Sequence, residues 1–572
     1  MEKPTFYWLN KNNNAARKFL QNGYLLEGVS AEERIEQIAS TAQELLEEMY
    51  WEKPDNKGTI LPSEIASFKH YFMKNMEQGV YSLASPVWAN FGLERGLPIS
   101  CFGSYIQDSM ESILETHKEV GVMTKVGGGT SGYFGDIRPR GSKITNNGRS
   151  DGSYSFATLF DRLINVVSQG TTRRGHFAGY IPIDHGDIDE WLNIQHPGDD
   201  IQTMMYGVLV PDYWMQEMID GDQEKRERWA KVLKNRIELG VPYIMFIDNC
   251  NKNRPDVYKD KGYTIKGSNL CSEILLPSNK DESFVCCLSS LNAARSECWD
   301  QYKSVQTMTL FLDAVMEDFV RKSKSINGLE RAHRFARRHR SIGMGVLGWH
   351  THLQQTMTPF DSMGARYKND EIFGKIKERS YAQSERMASY FGEPEVMEGY
   401  GRRNATTMAV APTKSSSYIL GQVSQGIQPI RANYFIRDTA KKMSTYKNPQ
   451  LKALLQEKDA DTPEVWKKIG DNRGSVQELD ILTDHEKEVF KTFGEISQLG
   501  IVRLAAQRQV RHIDQGQSLN VAIDPSVVEF KDINKLHIEA WKLGVTCLYY
   551  QMSVNAAQGY ANDILNCKTC EG

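Results

Sequence analysis

Residues 267–277, GSNLCSEILLP, carry an amide, a thiol and a carboxylate at alternate positions: Asn269, Cys271 and Glu273. In an extended segment alternate side chains lie on the same face, so the three groups would face one way. An isolated cysteine in an apolar strand is usually a buried packing residue, and that is the default interpretation. The polar residue on each side of Cys271 favours chemistry instead, because packing does not require Asn and Glu there.

The whole chain has the composition of an ordinary globular protein. Its 572 residues are 40% hydrophobic, and 69 basic against 72 acidic residues give a formal net charge of −3. This balance argues against bulk nucleic-acid binding. No apolar run approaches the roughly 18 residues of a membrane span, and the first residues do not form a secretory signal. We therefore expect a cytoplasmic protein with no membrane partner.

The hydrophobic pattern predicts an α/β protein in three regions: a mostly helical region 1–80, a catalytic region 81–554 and a flexible tail 555–572. Residues 30–50 predict a helix that Ser30 caps while Glu33 reaches back, with one apolar stripe. Short apolar runs such as YIMFI (243–247) and MGVLG (344–348) predict strands, and residues 441–515 are charged and helical. The members of the apolar stripe are Ile35, Ile38, Ala42, Leu45 and Met49.

Nine cysteines, an odd number, do not resemble a secreted disulfide framework. Cys286 and Cys287 are adjacent, so in a strand only one of them can face a given cavity. With Cys101 and the terminal pair Cys567 and Cys570, they could form a zinc site. Zinc normally uses local Cys-x₂₋₄-Cys pairs, and only the terminal pair supplies one, so thiol redox chemistry fits better.

Six stretches together resemble the large catalytic subunit of class I ribonucleotide reductase. The resemblance extends from about residue 12, in NNNAARKFLQNGYLL, to the last cysteine. It implies a ten-stranded α/β barrel of two five-stranded halves, with Cys271 on a loop through the centre. The stretches are NLCSEI (269–274), VCCLSSLN (285–292), RSIGMGVLG (340–348), APTKSSS (411–417), DQGQSLN (514–520) and CLYYQ (547–551).

The resemblance implies radical-based reduction of ribonucleotides, expected as diphosphates, to 2′-deoxyribonucleotides. Cys271 would become a thiyl radical that removes the 3′ hydrogen, Glu273 would act as general base, and Asn269 would bind the sugar hydroxyls. Cys101 and Cys286 would form the reducing pair. Cys286 is chosen over Cys287 because the family places its cysteine two residues before the leucine of CLSSLN.

The family also implies roles for the end of the chain. In NCKTCEG (566–572), Cys567 and Cys570 would re-reduce the active-site disulfide by thiol exchange, and thioredoxin or glutaredoxin would then reduce them. Tyr549 and Tyr550 would relay a radical from a metal-containing small subunit, so this chain would bind no cofactor itself. Paired tyrosines in a β-rich stretch are otherwise ordinary core residues.

Two nucleotide sites follow from the same match. The glycine-rich stretch 125–142 lacks the order of a phosphate-binding P-loop and resembles the specificity loop for dNTP or ATP effectors. Helices at 109–120 and 155–167 would form a bundle between the subunits of a homodimer, although packing within one chain is an alternative. The expected substrate contacts are Ser85, Ser100, Thr413, Lys414, Ser415, Ser416 and Ser417. The expected effector contacts are Asp108, Arg138 and Arg173, with Arg174 as a second candidate.

Four further expectations concern nucleic-acid binding, the N-terminal domain, the location of the protein and its alternative functions. The basic cluster 331–340, RAHRFARRHR, predicts a solvated or ion-paired face rather than a nucleic-acid site. Because the resemblance begins near residue 12, we expect no N-terminal ATP cone, and the chain is short, as in some virus-encoded members. The expected location is therefore the cytoplasm of a bacterium or of an infected host. A thiol–disulfide oxidoreductase, prompted by CKTC, and a silent nucleotide-binding homologue remain the alternatives.

Overall fold

A computed structural model describes residues 6–9, 14–99, 101–146, 148–169, 173–439 and 442–553 of the chain. Strands and helices alternate along most of them, which confirms the expected α/β class. The strands are β1 (Tyr81–Leu83), β2 (Cys101–Tyr105), β3 (Thr130–Tyr133), β4 (Ser168–Gln169), β5 (Arg173–Arg174), β6 (Phe177–Pro182), β7 (Met205–Val210), β8 (Tyr243–Phe246), β9 (Phe284–Asn292), β10 (Ile342–Leu347), β11 (Tyr434–Thr439), β12 (Lys442–Lys447), β13 (Val521–Ile523), β14 (Cys547–Leu548) and β15 (Gln551–Ser553).

The N-terminal region is helical up to β1, as expected. In the second helix Glu33 N donates to Ser30 Oγ at 3.2 Å while Ser30 N donates to Glu33 Oε2 at 2.8 Å, so the capping box is present. Its apolar stripe is buried over its whole length. These helices are α1 (Asn14–Gln21), α2 (Ala31–Glu52), α3 (Ser63–Ala66) and α4 (Phe68–Glu77).

The remaining helices lie between and after the strands. None of the helices in the described parts of the chain is both long and apolar enough to cross a bilayer. They are α5 (Ser85–Asn90), α6 (Met110–Lys125), α7 (Gly152–Val166), α8 (Ile188–Trp191), α9 (Asp212–Asp220), α10 (Gln223–Leu239), α11 (Ile247–Asn253), α12 (Asp256–Asp260), α13 (Ser304–Ser323), α14 (Glu330–His339), α15 (Trp349–Gln355), α16 (Met363–Phe391), α17 (Lys414–Ile419), α18 (Pro449–Glu457), α19 (Pro463–Asp471), α20 (Asp484–Val489), α21 (Gln498–Arg511) and α22 (Phe530–Lys542).

The main sheet curls into a half-barrel. Strands β2, β3, β6, β7 and β8 are parallel neighbours, which gives one five-stranded half. Antiparallel β9 joins this half at β2, and β10 pairs with β9 in parallel. Strands β1 and β14 pair antiparallel with β9 and β8. Nine strands of the described residues belong to this sheet, so the expected count of ten is not confirmed.

Two irregular segments continue the sheet beyond β10. Met344 of β10 forms a single parallel bridge with Met408, and Val410 forms another with Gln517. Because these segments make isolated bridges rather than ladders, they do not add strands to the sheet. They nevertheless bring residues 514–520 alongside the barrel interior, although Asp514 lies 167 positions after Leu347, the last residue of β10.

The predicted strands are buried on both faces. Every residue of β8 and β10 is buried, as expected for parallel strands covered by helices on one side and a packed interior on the other. Close approach of neighbouring strands requires glycine at some positions. A Cβ at Gly103 of β2 would lie 2.0 Å from the ring of Phe284 in β9, so no larger residue fits there.

The charged region after residue 440 is helical, as expected, and has a small core of its own under α18, α19 and α20. A hairpin of β11 and β12 precedes these helices, and the hydrophobic pattern did not predict it. The core residues of this region include Leu451, Leu455, Trp466, Ile469 and Val489.

A buried ionic cluster supports β9 and β10 from behind. Arg340 donates two hydrogen bonds to the fully buried Asp313, at 2.8 and 3.0 Å, and Arg403 lies 3.4 Å from the same carboxylate. Burial alone would raise the pKa of Asp313, but the two arginines outweigh it and hold this pKa below its ordinary value. The basic cluster 331–340 is thus ion-paired in part, as expected.

We expect Asp313→Asn to lower the free energy of unfolding by about 3 kcal/mol, because two buried guanidinium groups lose the carboxylate they share and Arg340 keeps only Glu317, at 2.8 Å. Asp281→Asn is the matched control, since Asp281 is an exposed partner of Arg334 at 3.9 Å and its loss should cost less than about 1 kcal/mol. Urea unfolding followed by circular dichroism measures both. Equal destabilisation by the two variants would contradict the conclusion that the buried ion pairs of Asp313 stabilise the fold.

Candidate active site

Cys271 lies on a loop without regular structure between α12 and β9. Leu270, Cys271 and Ser272 form a turn, and Ser272 has a φ of 64°. The alternate spacing of Asn269, Cys271 and Glu273 is therefore not that of an extended strand, and Cys271 lies on a loop, as the resemblance implies. The reason is local: Asn269 Oδ1 accepts hydrogen bonds from the backbone N–H groups of Glu273 and Ile274, each at 3.1 Å, and these bonds close the turn.

The turn still brings the polar groups of this stretch together. Asn269 Nδ2 donates to Glu273 Oε1 at 3.0 Å and approaches Cys101 Sγ at 3.4 Å. Tyr180 OH donates to the Asn269 carbonyl at 2.6 Å, which anchors the loop to β6. Asn269 thus links the carboxylate to a cysteine that lies 168 residues earlier in the chain.

Glu273 is a buried carboxyl group with neutral partners. Besides Asn269 Nδ2, its carboxylate accepts from Ser518 Oγ at 3.0 Å, and no ion pair reaches it from the described residues. Burial raises the pKa of Glu273 to about 7, although its hydrogen bonds oppose this change. Both protonation states are therefore populated near neutral pH, which suits a general acid or base.

Residues 514–520 hold the other side of the loop. Ser518 Oγ lies 2.6 Å from the Cys271 carbonyl oxygen, and Gly516 N donates to the Glu273 carbonyl at 2.8 Å. This stretch is one of the six that carry the family resemblance, but the sequence predicts no role for Ser518. A serine in a polar loop has no sequence feature that marks it as a site residue.

Cys101 and Cys286 are direct partners in the antiparallel pair of β2 and β9. Opposite residues in such a pair have Cα atoms about 4.5–5.5 Å apart, within the range of a disulfide. Cys287 faces away, with its Sγ 3.2 Å from the Leu312 carbonyl of α13. The strand register therefore directs Cys286, and not Cys287, toward Cys101.

Two residues near Cys286 were not predicted from sequence. A Cβ at Gly343 would lie 3.1 Å from Cys286 Sγ and 2.4 Å from Leu288 Cδ2, so only glycine leaves room for this thiol. Gln515 Nε2 lies 3.6 Å from Cys286 Sγ. Both residues are in quoted stretches, but their contact with Cys286 depends on strand pairing.

Tyr549 and Tyr550 form a ring cluster with a third tyrosine. Their ring centroids are 4.3 Å apart, and the Tyr243 ring of β8 lies 4.7 Å from Tyr549 and 5.2 Å from Tyr550. Tyr549 is buried and Tyr550 is partly buried. Tyr243 was predicted only as part of a strand, since 306 positions separate it from Tyr549.

The expected substrate contacts lie at two helix starts. Thr413 precedes α17, and its Oγ1 accepts from Gly426 N at 2.8 Å. Ser415, Ser416 and Ser417 are buried within α17, Lys414 is half-buried, and Ser85 is buried at the first position of α5. Ser100 lies outside the described residues, and so do Cys567 and Cys570.

The expected effector contacts lie beyond the carboxyl ends of β2 and β3. Arg138 Nε donates to Asp108 Oδ2 at 2.6 Å, and Arg138 N donates to Asp108 Oδ1 at 3.2 Å. Arg173 and Arg174 form β5, which pairs with β4. Helices α6 and α7 pack together and expose an apolar surface: Met110, Leu114, Leu159 and Val166.

Comparisons with known proteins show what the whole chain is similar to. A family model described as the ribonucleotide reductase barrel domain matches residues 99–226, 222–399 and 394–551. The ribonucleoside-diphosphate reductase large subunit of Invertebrate iridescent virus 3 is 31% identical over 83% of this chain and 86% of its own. The large chain of Schizosaccharomyces pombe is 29% identical over 84% of this chain and 68% of its own. The solved alpha subunit of the Actinobacillus ureae class Id ribonucleotide reductase is 51% identical, covers 99% of both chains and superposes with a TM-score of 0.88.

We expect mild oxidation with diamide to form a Cys101–Cys286 disulfide, because these residues face each other across β2 and β9. Cys287→Ser should form the same bond, whereas Cys286→Ser should not form one to Cys101. Peptide mapping by mass spectrometry distinguishes the three proteins. A Cys101–Cys287 bond in the unmodified chain would contradict the register.

Proposed function

Because this chain belongs to the ribonucleotide reductase family, as a class I large subunit, we propose that the loop carrying Cys271 is where ribonucleotides lose the 2′-hydroxyl. The chain reduces ribonucleotides to 2′-deoxyribonucleotides, and we infer that diphosphates are its substrates. One observation carries the proposal. Asn269 contacts both Glu273, a carboxyl group with a pKa of about 7, and Cys101, one of the two facing cysteines. The same asparagine closes the turn that carries the Cys271 thiol.

The first step uses the groups on the loop. As a thiyl radical, Cys271 takes the 3′ hydrogen atom of the ribose. The unprotonated form of Glu273 takes the proton of the 3′-hydroxyl, and the Asn269 amide orients the sugar hydroxyls. Support comes from the hydrogen bonds of Asn269 and Ser518 to Glu273, which hold its carboxylate in one position.

The second step uses the facing cysteines. The Cys101 and Cys286 thiols supply two electrons and two protons, the 2′-hydroxyl leaves as water, and the two sulfur atoms form a disulfide. The 3′ hydrogen then returns from Cys271, which regenerates its radical. The balance is one ribonucleotide and one dithiol giving one deoxyribonucleotide, one disulfide and one water.

Radical supply needs a partner, since class I large subunits work with a second subunit. We propose that Tyr549 and Tyr550 carry the radical to Cys271 from a metal-containing small subunit. Their ring centroids, 4.3 Å apart, are close enough for direct contact. Core packing and a relay are compatible here, because a buried aromatic pair excludes water from the path.

Nucleotide binding and assembly complete the proposal. Residues 413–417 with Ser85 and Ser100 would hold the substrate, while Asp108, Arg138 and Arg173 would hold a dNTP or ATP effector. The exposed apolar surface of α6 and α7 suits a homodimer, since pairing it with a second copy removes that surface from water.

We further propose that Cys567 and Cys570 return electrons from thioredoxin or glutaredoxin to the buried disulfide, in the cytoplasm. The division into residues 1–80, 81–554 and 555–572 stays a prediction. The alternatives are weaker. Cys286 is fully buried, unlike the exposed thiols of a general thiol–disulfide oxidoreductase, and a silent homologue would not need both Cys271 and Glu273.

The first test measures deoxycytidine diphosphate formed from cytidine diphosphate, with an effector, dithiothreitol and the cognate small subunit. Cys271→Ser should abolish turnover, because a hydroxyl cannot carry the radical. Cys298→Ser is the control, since Cys298 is also partly buried but lies outside the site. Turnover that survives in Cys271→Ser, or that does not need the small subunit, would contradict the proposal.

Activity should rise with pH through about 7, because Glu273 must lose its proton to act as base and burial places its pKa there. Glu273→Gln should lower the single-turnover rate by about 10²–10⁴-fold and remove this pH dependence. Rapid-quench product analysis between pH 6 and pH 8.5 measures both. A flat profile for the unmodified enzyme would exclude Glu273 as the base.

A further inference from the structure

Gln515 is buried beside the reducing pair, and the reaction steps above do not use it. Its side chain is fully buried, and its Nε2 lies 3.6 Å from Cys286 Sγ. The same nitrogen lies 3.0 Å from the Ile342 carbonyl and 2.9 Å from Thr406 Oγ1. A carbonyl oxygen can only accept, so this contact fixes the nitrogen, and not the oxygen, of the amide toward β10 and Cys286.

The oxygen of the same amide, Oε1, is buried and makes no hydrogen bond to the described residues around it. Buried acceptors are normally satisfied, and an apolar side chain of similar shape would avoid the loss. The two N–H hydrogens of the amide serve three acceptors, the Ile342 carbonyl, Thr406 Oγ1 and the more distant Cys286 Sγ, so Cys286 shares a hydrogen with one of the other two.

The two sulfur atoms of the reducing pair differ in access. Cys101 keeps 8% of its surface exposed, whereas Cys286 has none. The amide near Cys101 is that of Asn269, which also donates to Glu273 Oε1 at 3.0 Å. Because Cys101 is the more exposed of the two residues, we expect an incoming thiolate to attack its sulfur, which makes Cys286 the sulfur that leaves.

We propose that Gln515 is a positioning residue that makes Cys286 the leaving thiolate when a dithiol reopens the Cys101–Cys286 disulfide. The inference rests on the proposed role of this pair. A thiolate of the dithiol bonds to Cys101 Sγ, the Cys101–Cys286 bond breaks, and its electron pair goes to Cys286, where the Gln515 N–H group stabilises the charge. The second thiol then displaces Cys101, the dithiol becomes a disulfide, and both cysteines end protonated.

The electrostatics of the site make such a donor necessary. Burial raises the pKa of the Cys286 thiol well above its ordinary value, and the neighbouring Cys287 and Cys101 add to this increase, while the Gln515 contact opposes it. A thiol of lower pKa leaves faster in disulfide exchange. No cation contacts Cys286 among the residues described, so the amide is its stabilising group.

The test compares Gln515→Met with Gln517→Met. Methionine keeps the shape of glutamine but has no N–H group. Gln517 is a buried glutamine two residues further on. Its Nε2 donates to the Ala505 carbonyl and to Gln509 Oε1, its Oε1 accepts from Arg508 at 3.2 Å, and it makes no sulfur contact. Two rates are measured by rapid quench: a single turnover of pre-reduced enzyme without reductant, and the reopening of oxidised enzyme by dithiothreitol.

Gln515→Met should slow reopening on the order of tenfold more than it slows the single turnover, the loss expected for one hydrogen bond to a charged group. Gln517→Met should leave the ratio of the two rates unchanged, which separates this role from a general effect on packing. An unchanged reopening rate in Gln515→Met, or an equal loss in both rates, would overturn the inference.

A second measurement needs no variant. Oxidised wild-type enzyme is treated with 2-mercaptoethanol, and the mixed disulfide is mapped by mass spectrometry. We expect the adduct on Cys101, and an adduct mainly on Cys286 would overturn the inference. If the wild type forms no deoxyribonucleotide, the proposed function fails, yet the exchange of its Cys101–Cys286 disulfide still tests the role of Gln515.

Discussion

The register of β2 against β9 is the constraint on which the site depends. These strands run antiparallel where the two parts of the sheet meet, and their pairing sets Cys101 opposite Cys286. A slip of one residue would turn Cys286 outward and bring Cys287 in, because side chains alternate along a strand.

Asn269 brings the reacting groups of the site together on that framework. Its amide oxygen closes the turn around Cys271, while its amide nitrogen joins Glu273 to Cys101. Because the same side chain shapes the loop and connects the reacting groups, the geometry of the loop and the positions of the thiol and carboxyl groups are coupled. Low polarity around Glu273 then sets its pKa near 7, with neutral partners only.

Neutral amides recur around the sulfur atoms. Asn269 approaches Cys101, and Gln515 approaches Cys286, at 3.4 and 3.6 Å. Radical and thiol chemistry in one cavity benefits from this choice, since a fixed cation would hold the thiols as thiolates and remove the hydrogen atoms that they must give. An amide N–H group supports a transient charge without imposing a permanent one.

The sequence by itself determined the α/β class, the buried runs of β8 and β10, the capped helix α2 and the membership of Asn269, Cys271 and Glu273 in one polar stretch. These features are local, because they depend on periodicity and on neighbouring residue types. Only the tertiary structure decided that Cys271 lies on a turn, that Cys286 rather than Cys287 faces Cys101, and that Ser518, Gln515 and Tyr243 join the site. Those contacts connect residues far apart in sequence, and strand pairing and packing, which no local pattern records, bring them together.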